Sequence, residues 1–186
     1  MVRRSLFMKK LFVICALVLA SVSSAETLLT EQQAVKIALP KSGSVQAESK
    51  SLSVAQKEDM EHRTHLKFPE NEYKWFVGSS NGNLDGYAVV LNELGKHELI
   101  TFIVGISPKG EVTDVVVMEY RESRGKEVRE KRFLSQFYGK KRTDPIQVNR
   151  DIVNYTGATL SSHAIARGVK RALLLVELFY PPGATH

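Results

Sequence analysis

The chain of 186 residues carries 26 Lys and Arg, 20 Asp and Glu, one Cys and 43% hydrophobic residues, the size and balance of one ordinary globular domain, which argues against a multidomain enzyme. The net charge of +6 would suit a nucleic-acid binder, but Arg3, Arg4, Lys9 and Lys10 all fall within the first 25 residues, which hold no Asp or Glu. Setting those four aside leaves 22 basic against 20 acidic side chains, so no nucleic-acid partner is expected.

Residues 1–25 read as a secretory signal peptide: the basic residues precede the apolar run Leu11 to Ala20, and Ser23-Ser24-Ala25 supplies small residues at a cleavage site. Cleavage after Ala25 is expected, with a periplasmic or secreted mature chain. Ten apolar residues make a helix of roughly 15 Å, about half the hydrocarbon core, too short for an anchor. Phe12-Val13-Ile14 before Cys15 lacks the small residues of a lipidation site. The only cysteine therefore leaves with the signal, which removes disulfides, thiolate metal sites, iron–sulfur clusters and thioether-linked haem from consideration. Met8-Lys9-Lys10 would open the same signal as well as Met1 does.

Thr30 and Gln33 form a capping-box pair that predicts a short helix with Ala34, Ile37 and Ala38 inward, ended by Pro40. Lys41 to Ser51 is small and polar, the composition of a surface connection, and Ser53 to Leu66 reads as a charge-rich helix. His62 and His65 stand three apart on it, a spacing that suits a solvated face better than a metal site without a third ligand. Beyond Pro69 the period changes to two. Lys74 to Ser79, Gly86 to Asn92, Leu99 to Ile106 and Val112 to Tyr120 read as strands, with Asn81-Gly82 and Pro108-Lys109-Gly110 as turns, giving an antiparallel meander. Trp75 reads as core. Ile100, Phe102, Val104 and Ile106 share one face, and Val112, Val116, Met118 and Tyr120 are expected to share a face of the next strand.

Arg121 to Arg132 alternates charge sign, as a solvated or partner-docking face would. A helix from about Glu130 to Tyr138 carries Phe133, Leu134 and Phe137, and Gly139 stops it. The last helix, about Ser162 to Phe179, places Ile165, Val169, Ala172, Val176 and Phe179 on one stripe, with Arg167, Lys170 and Arg171 expected on the other side. His163 at its start suits the surface. The expected architecture is a single α+β domain, a β-meander covered by a C-terminal amphipathic helix, divided into residues 1–25 (signal), 26–73 (N-terminal helical segment) and 74–186 (the functional domain).

Before the last helix stands Tyr155-Thr156-Gly157-Ala158-Thr159-Leu160-Ser161-Ser162. Small residues let the backbone turn, hydroxyls surround it, and the free N–H groups of a helix start attract phosphate. The same residues could equally be an N-cap. Thr156-Gly157-Ala158-Thr159 resembles the S/T-G-A-T motif of the secreted FMN-binding domain family, which includes the flavin-carrying C and G subunits of the sodium-pumping NADH:quinone oxidoreductase and Rnf complexes. Asp85-Gly86-Tyr87-Ala88, the strand pair Ile106 to Tyr120 and the loop Glu122-Ser123-Arg124-Gly125 also resemble family segments, over about Trp75 to Leu175.

The resemblance implies covalent FMN on Thr159 through a phosphodiester, installed by a periplasmic flavin transferase that uses FAD and Mg²⁺ and releases AMP. It places Thr156, Gly157, Ala158, Leu160 and Ser161 around the phosphate end, and Glu122, Ser123 and Arg124 beside the ring. It further implies electron transfer between redox protein partners. One departure stands out: the Asp common six residues before the acceptor is Val153, with Asp151 two residues earlier and Asn154 one later. A non-redox secreted binding module and a flavin-dependent reductase remain the alternative functions. The mature sequence has no glycine fingerprint for NADH.

Overall fold

The computed structural model describes residues 26–181, so the predicted signal peptide and Cys15 lie outside the described residues. Antiparallel strands β1 (Glu26–Thr27), β2 (Ser44–Ser51), β3 (Glu72–Ser80), β4 (Asn83–Leu94), β5 (Leu99–Ile106) and β6 (Val112–Tyr120) form a single 6-stranded sheet. The order β1-β6-β5-β4-β3-β2 is the expected meander with the short β1 added beside β6. Asn81 and Gly82 both hold positive φ, 53° and 79°, as a two-residue hairpin turn matching the strand twist requires.

Helix α4 (Thr159–Phe179) covers one face of the sheet and α1 (Glu31–Ala38) part of the other. Ile100, Phe102, Val104 and Ile106 face α4 together and are fully buried, as the alternation predicts. Ile165, Val169, Ala172 and Val176 of α4 close over them, an apolar burial that contributes about 1.5–3 kcal/mol for each large side chain. Trp75 joins the same core, edge-on to Phe179 and Tyr180. Contact is close because Gly168 sits at the crossing: a Cβ there would lie 2.4 Å from Phe102 Cζ and 2.9 Å from Glu93 Cγ.

Several expectations give way to the tertiary structure. Residues 44–51 are strand β2 and not a plain connection, because the free edge of β3 supplies a ladder from Ser44↔Ser79 to Ser51↔Glu72 that weak local propensity does not announce. In β6, register shifts opposite Thr101/Phe102 and Gly105/Ile106 each insert an extra residue. Each bulge flips the side-chain parity, so Val112, Val115, Val117 and Tyr120 face the α4 side while Val116 and Met118 face α1. In α1 the inward residues are Ala34, Val35 and Ala38, and Ile37 is exposed.

The helix expected at 130–138 is a 3-10 turn (Lys126–Arg129), the four-residue α3 (Lys131–Leu134) and another 3-10 turn (Ser135–Phe137), which still bury Phe133, Leu134 and Phe137. The second helix, α2 (Val54–Thr64), starts on a Ser53–Gln56 capping box and buries only Met60. Arg171 is not solvated: it is buried, pairs with the buried Glu93 of β4 and donates from Nε to the Lys67 carbonyl at 3.0 Å. Burial lowers its pKa from the usual guanidinium value. Breaking such a pair from one side leaves an uncompensated buried charge.

Candidate functional site

The last helix begins at Thr159, three residues earlier than its periodicity suggests. A turn precedes it, closed by the Ala158 N–H donating to the Tyr155 carbonyl at 3.0 Å, with Gly157 at φ 85° where a Cβ would strain the backbone. The N-cap is Ala158, which offers no side-chain cap, and the first intrahelical bond runs from the Ser162 N–H to the Ala158 carbonyl. The N–H groups of Thr159, Leu160 and Ser161 therefore point outward without an intrahelical acceptor, at the positive end of the helix dipole. Thr159 is exposed, and its Oγ accepts a hydrogen bond from Asn154 Nδ2 at 3.0 Å.

Two further segments complete a cavity of about 410 Å³ around this helix start. The loop after β6 is drawn in by Tyr120, whose buried hydroxyl donates to the Arg124 carbonyl at 2.6 Å. That leaves the Tyr120 oxygen to accept from the Ser161 hydroxyl at 3.1 Å. Burial raises the Tyr120 phenol pKa, so it stays protonated as this network needs. Gly125 is required beside it: its φ is 81°, and a Cβ would stand 2.9 Å from the Tyr120 hydroxyl and 3.2 Å from Ala158 Cα. Glu122, buried in the same loop, accepts from the backbone N–H groups of His97 at 2.6 Å and Glu98 at 3.1 Å. Burial alone would raise the Glu122 pKa, but these N–H donors hold it below the ordinary carboxylate value.

The cavity lining brings together Glu122, Ser123, Arg124, Gly157, Ala158, Thr159, Leu160 and Ser161, all singled out in the sequence, while Thr156 stands outside it. It also contains Lys96 and His97 from the turn between β4 and β5, which carried no motif in the sequence. Only the clasp of Glu122 on that turn brings them in. Asp151 does not reach the acceptor position: its carboxylate accepts from Lys140 Nζ at 2.7 Å, Gln147 N at 2.8 Å and Ile146 N at 3.1 Å. Those donors outweigh burial and keep its pKa low. His163 is half-buried on α4 outside the lining, and no cluster of three or more His, Cys, Asp or Glu suited to a metal occurs among the described residues. Nor is any described helix long and apolar enough to cross a membrane.

Residues 95–174 match the profile of the FMN-binding domain family. Over that stretch the chain is similar to FMN-binding domains. Its match begins at the turn that bears Lys96 and His97 and runs through α4 as far as Leu174, so it encloses the cavity described above. The G subunit of the proton-translocating ferredoxin:NAD(+) oxidoreductase complex of Clostridium ljungdahlii is 29% identical over 113 residues, covering 56% of this chain and 60% of that relative. The chain thus spans less than two thirds of the curated relative it matches. The crystal structure of Shewanella oneidensis NqrC shares the fold, with a TM-score of 0.50 at 18% identity over 74% of this chain and 81% of that one.

The cavity suits the group the family binds. Outward helix N–H groups and the cations Lys96 and Arg124 are matched to a phosphate. Behind Thr159, outside the lining, Asn154 Oδ1 is buried with no hydrogen-bond partner among the described residues.

Proposed function

We propose that this chain carries FMN covalently on Thr159 as a phosphodiester, and that the loaded protein passes electrons between redox protein partners on the periplasmic side, where the first 25 residues direct it. The observation that carries this reading is the exposed Thr159 hydroxyl on the rim of a cation-lined cavity at an uncapped helix start. An ordinary helix cap is disfavoured by the same geometry, since the N-cap position is an alanine.

The hydroxyl partner is an amide, which cannot take a proton, so attachment calls for a base on a separate flavin transferase. In the balanced step the Thr159 Oγ–P bond forms as the pyrophosphate P–O bond of FAD breaks, the hydroxyl proton passes to the transferase base, and AMP leaves. No oxidation state changes. Once bound, the isoalloxazine supplies the redox chemistry. The residues of this chain then hold the phosphate through the Thr159 to Ser161 N–H groups, balance charge through Lys96 and Arg124, and shape the cavity through the Glu122 loop.

Expression with a flavin transferase, followed by mass spectrometry of the peptide spanning residues 151–167, is the test. The natural chain should gain one flavin mononucleotide on Thr159, Thr159→Ala should gain none, and Thr156→Ala should still be modified. Flavin retained by denatured Thr159→Ala would overturn the assignment.

A further inference from the structure

We infer that Asn154 is the positioning residue for the Thr159 hydroxyl, holding Oγ in one orientation for esterification and keeping the same hydrogen bond to the ester oxygen afterwards. This rests on the reading of Thr159 as the attachment point. The bond from Asn154 Nδ2 to Thr159 Oγ is 3.0 Å long and joins two residues five apart across the turn. Both neighbours of Asn154 are anchored. The Val153 N–H donates to Gln136 Oε1 at 2.7 Å and its carbonyl accepts from Gln136 Nε2 at 3.4 Å. The Tyr155 ring stands edge-on to Phe133 at 5.6 Å, with the Arg132 guanidinium over it. The segment 131–137 thus holds the Val153 backbone and the Tyr155 ring on either side of Asn154, and the amide between them reaches Thr159.

The chemistry of an amide suits the task. A donor on one lone pair of Oγ leaves the hydroxyl proton free to depart and the other lone pair free to attack phosphorus. After the Oγ–P bond forms, Oγ has no proton but still accepts, so the Nδ2 contact survives the transfer. A carboxylate in its place would have nothing to donate and would repel the phosphodiester. Asp151 is excluded from the role because Lys140, Ile146 and Gln147 occupy it.

The full chain without flavin is incubated with a flavin transferase, FAD and Mg²⁺, and FMN incorporation is followed by mass spectrometry across a range of protein concentrations. Asn154→Ala should lower kcat for the chain as substrate roughly tenfold, the worth of one hydrogen bond, and leave KM within about twofold. A second measurement needs no Asn154 variant: in ¹H–¹⁵N spectra of the flavin-free chain, the Asn154 side-chain amide resonances should shift on Thr159→Val. A natural rate for Asn154→Ala, a rise in KM alone, or an unmoved amide resonance overturns the positioning role while leaving Thr159 as the attachment point. A natural chain that gains no flavin overturns both.

Discussion

Glu122 lines the cavity and at the same time ties a distant turn to it. The sequence resemblance puts it beside the flavin ring, and its Oε1 takes the N–H groups of His97 and Glu98 and so fixes the turn that carries Lys96 and His97. Gly95 makes room for it, since a Cβ there would lie 2.8 Å from Glu122 Oε1. Removing the carboxylate in Glu122→Ala should cost about 2 kcal/mol near pH 7, the range for hydrogen bonds to a charged group. The folded pKa is depressed below 4.5, so the folded state binds fewer protons than the unfolded one. That contribution is complete above the ordinary carboxylate range and drains away as pH falls through the lowered folded value. The stabilities of the natural chain and Glu122→Ala from urea melts should therefore converge as pH falls below the ordinary carboxylate range. A gap that stayed constant over that range would mean that the charge of Glu122 does not hold the turn.

Helix α4 carries both the site and much of the core, and Gly168 sets how closely it lies on the sheet. In an exposed helix Gly→Ala would stabilise by about 1 kcal/mol. Here the added methyl meets Phe102 and Glu93 well inside contact distance, so Gly168→Ala should lose about 1–2 kcal/mol net and melt lower in a thermal scan. An unchanged or raised melting temperature would show that α4 can shift outward at no cost. Elements dictated by local pattern were legible in the sequence: β5 and β6 have the expected limits, and the capping-box helices start where Thr30 and Ser53 place them. Elements created by partners were not. Strand β2 exists because β3 offers an edge, the two bulges in β6 cannot be seen without its neighbour, and Arg171 is buried because Glu93 and Lys67 meet it from distant parts of the chain. The site divides in the same way. Thr159 and the Glu122 loop announce themselves by motif, while Lys96 and His97 arrive through a contact more than twenty residues away in sequence.

Over the whole molecule, charge is nearly balanced once the predicted leader is set aside, so the field at the cavity is set locally. Lys96, His97 and Arg124 line it, and its single carboxylate, Glu122, is buried with an oxygen turned into the backbone of the turn. The 3-10 turn that follows adds Lys126 and Arg129, the latter over the Tyr120 ring at 5.5 Å, against one carboxylate, Glu127. A carrier with one flavin must accept and donate through one edge, so the sign of this rim should govern which partners approach it. Small charged donors read that sign directly. Stopped-flow reduction of the flavinylated protein by anionic dithionite should slow several-fold as salt rises and the Debye length falls from about 30 Å at 0.01 M to 10 Å at 0.1 M, whereas reduction by a cationic viologen should speed up. Lys96→Glu should weaken both trends when rates are compared on the flavin-loaded fraction alone. Salt dependences of the opposite sign would place the negative side of the molecule at the flavin edge, and fast, saturable reduction by NADH alone would favour a reductase over a carrier.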